Sequence, residues 1–80
     1  GIPLVAVQYP MRPVEQLKIR LEHDPRVIYV DNQELFRNAV REHGYGFYFV
    51  DRFAGDFGHC TENGNRLLGK NIAAAILAAF

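Results

Sequence analysis

The sequence lacks serine and tryptophan altogether and contains a single cysteine, Cys60, among its 80 residues. A lone cysteine excludes an internal disulfide and a zinc site built from several cysteines. Thr61 is the only residue of the serine or threonine kind, and its position before a helical segment suits a cap better than a nucleophile. Any serine-dependent reaction would therefore need a nucleophile from outside these residues.

The chain also lacks an excess of either charge and lacks a long apolar run. Nine basic and nine acidic residues give zero formal net charge, and no block of Lys and Arg stands out, so we expect no nucleic-acid partner. No apolar run reaches the roughly 18 residues that a membrane span requires. A composition of 49% hydrophobic and 22% charged residues indicates one small globular domain with a marginal core.

Apolar runs and prolines predict the first three elements. Leu4–Gln8 is a short Val-rich run between prolines, which indicates a strand buried on both faces. A helix should start near Pro13 and end before Pro25. Val27–Val30, dense in β-branched residues, should form a second strand.

The second half of the chain predicts a helix, a long loop and a closing helix. Asp31 and Glu34 form a capping pair for the first of these helices, and Gly44 is its natural C-cap. The aromatic stretch that follows should pack under the long loop. Thr61 or Asn63 could cap the closing helix.

Strands joined by a helix predict a parallel pair, and two parallel strands do not make an independent sheet. We therefore expect further strands upstream of Gly1. Residues 1–80 are interpreted as a single partial domain of the α/β class, with the order β-α-β-α-loop-α.

A glycine-framed loop carries the candidate chemistry. Asp56 and His59 lie three residues apart between and beside Gly55 and Gly58. An imidazole can act as a base near neutral pH, and an aspartate on its Nδ1–H would fix its tautomer. The alternative interpretation is that Asp56 caps a turn and that His59 is a solvent-exposed histidine without a catalytic role. Asp51, a rival carboxylate, is interpreted as a solvated loop residue.

Cys60, next to His59, offers a thiol as an alternative nucleophile. Adjacent residues of an extended loop point apart, and a lone cysteine is more often a small buried hydrophobe. No set of residues has the spacing of metal ligands. We therefore expect neither a metal nor a cofactor.

Residues 56–68 resemble the last sequence block of the SGNH/GDSL hydrolase family, in which an Asp-x-x-His pair precedes the closing helix. The resemblance covers nearly the whole chain and is most specific over residues 51–72. It implies a flavodoxin-like three-layer α/β/α parallel-sheet fold and serine-type hydrolysis of esters. His59 matches the family's catalytic base and Asp56 its orienting acid. The family's Gly-Asp-Ser nucleophile motif and its oxyanion Gly and Asn have no counterpart here.

Two functions remain open. In the first, the chain is the C-terminal segment of an SGNH/GDSL-like hydrolase of acyl or carbohydrate esters. Its partner is then the missing N-terminal half of the same fold, and the 80 residues alone are inactive. In the second, the chain is a non-catalytic α/β interaction module that docks through a bare sheet edge.

Overall fold

A computed structural model describes residues 4–53 and 58–79 of the chain. The elements in chain order are β1 Leu4–Val7, α1 Glu15–Arg20, β2 Val27–Val30, α2 Gln33–His43, α3 Tyr45–Tyr48 and α4 Glu62–Ala79.

The two strands form a parallel pair. Leu4 lies opposite Val27 and Val7 opposite Val30, and the chain returns between the strands through α1. The predicted strand–helix–strand order and parallel pairing are confirmed, and the fold belongs to the α/β class. The flavodoxin-like three-layer arrangement stays a prediction, because two strands do not distinguish it from other α/β folds.

The prediction that β1 is buried on both faces is wrong for this chain. Leu4 is 55% exposed and Val7 is 40% exposed, while Val5 and Ala6 are half-buried. Within residues 4–53 and 58–79, β2 is the only strand that pairs with β1. The second edge of β1 consequently has no neighbouring strand among these residues, and its apolar side chains are exposed on the faces of the sheet.

Helix α1 ends earlier than the position of Pro25 predicts. Glu22 and His23 adopt positive φ angles of 55° and 52°, a conformation that closes a helix. The N–H of His23 then donates to the carbonyl of Lys18 over 2.8 Å. His23 therefore lies in the turn after α1.

Helix α2 ends where its sequence predicts, but its N-cap is Asn32, which makes no side-chain cap hydrogen bond, instead of Asp31 paired with Glu34. Asp31 Oδ1 accepts a hydrogen bond from the N–H of Gln33, the first helical residue, over 3.0 Å. Asn32 occupies the position before the helix. Gly44, with φ of 89°, ends it, as expected for a glycine in a conformation that side chains disfavour.

The core is aromatic. Phe36 of α2 is fully buried. Its ring meets that of Tyr48 edge-on at 6.1 Å and lies 5.7 Å from that of Phe49. The predicted packing role of the aromatic stretch is confirmed for Tyr48 and Phe49, whereas Phe47 and Phe53 remain about half exposed. The short helix α3 inside this stretch was not predicted.

A buried amide joins the carboxyl ends of both strands to α4. Asn32, fully buried, donates from Nδ2 to the carbonyl of Gln8 over 2.8 Å. Its Oδ1 accepts from Nδ2 of Asn71, which also lies 3.0 Å from the carbonyl of Asp31. Because an unpaired buried amide is costly, these bonds fix α4 against the sheet.

Thr61 caps α4 and is one of the two residues that the sequence predicts for this position. Its Oγ1 accepts from the N–H of Gly64 over 3.2 Å and donates to the carbonyl of Phe47 over 2.7 Å.

In the part of the chain that the structure describes, no helix is long and apolar enough to cross a membrane.

Two glycines of α4 should respond oppositely to alanine. A Cβ at Gly64 would overlap the carbonyl oxygen of Tyr48 and lie 3.0 Å from Cβ of Cys60, whereas a Cβ at Gly69 meets nothing within 4 Å. We expect Gly69→Ala to stabilise the protein by about 0.5–1 kcal/mol through helix propensity. Gly64→Ala should destabilise it by about 1–3 kcal/mol through overpacking. Urea unfolding of both variants measures the difference, and equal midpoints would contradict the packing of α4 on α3.

Candidate functional site

The candidate site is built by a short antiparallel contact between the two arms of the loop that joins α3 to α4. Phe49 and Cys60 form an isolated antiparallel bridge. The N–H of Val50 donates to the carbonyl of His59 over 2.9 Å, and that of Thr61 donates to the carbonyl of Tyr48 over 2.8 Å. This pairing brings residues 49–51 beside residues 59–61.

Asp51 makes two hydrogen bonds to His59. Its Oδ1 accepts the backbone N–H of His59 over 2.6 Å, and its Oδ2 lies 2.7 Å from the imidazole Nδ1. The side chain of Asp51 is 35% exposed and that of His59 is 75% exposed. The imidazole is thus held at one nitrogen by a carboxylate while most of its ring faces solvent.

The hydrogen bonds from His59 favour the ionised form of the Asp51 carboxyl group. The backbone N–H of His59, and next its ring, hold the pKa of Asp51 below its ordinary value, because both hydrogen bonds favour the ionised carboxylate. A carboxylate can only accept, so the neutral imidazole carries its proton on Nδ1. Nε2 of His59 then has a free lone pair, as a general base requires.

Asp56, the orienting acid predicted from sequence, lies outside the described residues. The interpretation of Asp51 as a solvated loop residue is wrong, because Asp51 is the carboxylate that contacts His59. Local spacing hides this contact, since the two residues are eight positions apart. No local pattern indicates the pairing, since positions 47–50 are an unbroken run of aromatic and apolar residues.

Cys60 points away from this chemistry. It is half-buried and packs against the cluster of Phe36, Tyr48 and Phe49. Burial raises the pKa of its thiol, which lowers its reactivity. The interpretation of Cys60 as a small core hydrophobe is confirmed.

Apolar side chains flank the exposed imidazole. The ring of Phe53 meets that of His59 edge-on, with centroids 5.8 Å apart, and Phe53 is 46% exposed. Val50, opposite His59 in the antiparallel contact, is 67% exposed.

Over residues 4–53 and 58–79, no three side chains of His, Cys, Asp or Glu converge as metal ligands would.

Comparison with models of known protein families, with curated proteins and with solved structures finds no match to this chain. A function for this chain therefore rests on the arrangement of Asp51 and His59.

The depressed pKa of Asp51 predicts acid sensitivity of a definite sign. Above an ordinary aspartate pKa of about 3.9, the pair contributes its full stabilisation. As pH falls below that value, the unfolded chain takes up the proton before the folded chain does, so stability is lost as pH falls through the depressed folded pKa. We expect Asp51→Asn to flatten this part of the profile. Urea midpoints measured between about pH 5 and pH 2 test it.

Asp24→Asn is the matched control for this profile. Hydrogen bonds from the side chain and the backbone of Arg26 lower the pKa of Asp24 to about 2, so Asp24 contributes its own loss in the same direction. That loss should persist in Asp51→Asn and be reduced in Asp24→Asn. Parallel profiles for wild type and Asp51→Asn would contradict the role assigned to Asp51.

Proposed function

We propose that this chain supplies the histidine base and the orienting carboxylate of a serine-type ester hydrolase of the SGNH/GDSL kind. The nucleophilic serine and the oxyanion donors come from residues outside it. The observation that carries the proposal is the two-point contact between Asp51 and His59, which leaves Nε2 of the imidazole available.

His59 moves one proton in each half of the proposed reaction. Nε2 takes the proton from the serine hydroxyl as its oxygen attacks the ester carbonyl, and returns it to the departing alcohol as the acyl-enzyme forms. In the second half Nε2 takes a proton from water as the water oxygen attacks the acyl-enzyme carbonyl, and returns it to the serine oxygen as the acyl–serine bond breaks and the acid leaves. Asp51 keeps Nδ1–H oriented and stabilises the imidazolium formed at each step.

Two further features support the assignment. The strand β1 has an edge that no described strand covers and exposed apolar side chains on its faces, as expected for one strand of a wider parallel sheet whose faces are covered. The loop that carries His59 leads directly into the closing helix α4, the order that the SGNH/GDSL resemblance implies. Asp56, predicted from the sequence, remains a second candidate for the orienting carboxylate beside Asp51.

The exposed edge of β1 also favours the alternative, a non-catalytic interaction module. Leu4 and Val7 are large exposed hydrophobic residues on a short strand, and such an edge can accept a strand from a partner protein. This function requires no role for the pair of Asp51 and His59.

Side-by-side substitution of the two aspartates tests the hydrolase. The protein is expressed together with the residues that precede Gly1 in its reading frame, and hydrolysis of p-nitrophenyl acetate and longer p-nitrophenyl esters is followed. In Asp51→Asn, Oδ1 still accepts the backbone N–H, but the amide donates to Nδ1 and moves the imidazole proton to Nε2. We expect kcat to fall by about four orders of magnitude, and by much less in Asp56→Asn.

His59→Ala and the 80 residues alone are the controls, and both should show no turnover above background. Full activity of His59→Ala, or turnover by the isolated chain, would contradict the proposal. Loss confined to Asp56→Asn would transfer the orienting role to Asp56. Absence of esterase activity in the longer protein, with capture of a partner strand on β1, would favour the interaction module.

A further inference from the structure

The hydroxyl of Tyr45 contacts the backbone of Asp51, a contact that takes no part in the proton transfers proposed above. Tyr45 is the first residue of α3, six positions before Asp51. Its Oη donates to the backbone carbonyl of Asp51 over 2.7 Å. This bond fixes the peptide group from which the orienting carboxylate projects.

The ring of Tyr45 is itself held in place. It stacks on Phe49 at a centroid distance of 4.7 Å and an interplanar angle of 25°, and Phe49 is only 3% exposed. The guanidinium carbon of Arg52 lies 4.1 Å from the centroid of the same ring, within the range of a cation–π contact. The phenol thereby connects the aromatic core to the segment that carries Asp51.

The other arm of the loop closes on the same point. A Cβ at Gly58 would overlap the carbonyl oxygen of Asp51 and lie 2.8 Å from Oη of Tyr45. Gly58 is thus the residue that lets the arm leading to His59 approach the carbonyl that Tyr45 binds. The phenol, the Asp51 carbonyl and the Gly58 backbone meet directly behind the Asp51–His59 contact.

We propose that Tyr45 is a positioning residue, which sets the orientation of the Asp51 carboxylate against His59 by binding the Asp51 carbonyl. Its effect on turnover rests on the hydrolase function proposed above. Its effect on the geometry of the pair does not depend on that function. Hydrogen bonds that orient catalytic groups indirectly act on the rate of the chemical step, because small displacements of a base are costly.

Tyr45→Phe tests this role, since it removes the hydroxyl and keeps the stacked ring. Tyr29→Phe is the matched control, because the buried hydroxyl of Tyr29 has no hydrogen-bond partner among the described residues. The first readout is the titration of the Asp51 carboxyl carbon followed by NMR in the 80-residue chain. We expect the Asp51 midpoint to rise toward its ordinary value in Tyr45→Phe and to stay unchanged in Tyr29→Phe.

The second readout is ester hydrolysis by the longer protein. Tyr45→Phe should lower kcat by about ten- to a hundredfold with little change in KM, and Tyr29→Phe should lower neither. An Asp51 titration in Tyr45→Phe that superimposes on the wild type would overturn the positioning role, even if the thermal midpoint falls. A shifted titration with no esterase activity in any protein, wild type included, would uphold the role of Tyr45 and reject the hydrolase.

Discussion

The antiparallel contact between residues 49–51 and 59–61 is the constraint on which the rest of the structure depends. On its inner side it seats Phe49 and Cys60 against the aromatic core. On its outer side it brings the carboxylate of Asp51 to His59. At its end it places Thr61 where its hydroxyl caps α4. One short pairing therefore sets the core, the site and the start of the longest helix.

An exposed ion pair is by itself weak evidence for function. Asp24 and Arg26 are also joined by side-chain hydrogen bonds, the shortest of 2.7 Å, yet they are only two residues apart in the turn that precedes β2. Surface pairs of this kind contribute little to stability. The Asp51–His59 pair differs because it spans two arms of a loop and is supported from behind by Tyr45. This support from the aromatic core is the reason that a role for His59 is proposed.

Local signals in the sequence predict both strands, α2 and α4, but neither the short helix α3 nor the contact between Asp51 and His59. Prolines and β-branched runs predicted both strands and their parallel pairing, and Thr61 was correctly placed among the alternatives for the cap of α4. The contact of Asp51 with His59 was not predicted because it depends on a loop folding back on itself, which brings together residues eight positions apart. The burial of β1 was misjudged for a similar reason, since composition indicates a buried strand without supplying the neighbour that buries it.

The tautomer of His59 tests the central claim most directly. Long-range ¹H–¹⁵N correlation spectra of the neutral imidazole in the 80-residue chain distinguish a protonated Nδ1 from a protonated Nε2. If Asp51 holds the ring as the structure shows, Nδ1 carries the proton and Nε2 gives the signal of an unprotonated nitrogen. A predominant Nε2–H form would contradict the account, because the imidazole would then present a donor instead of a base.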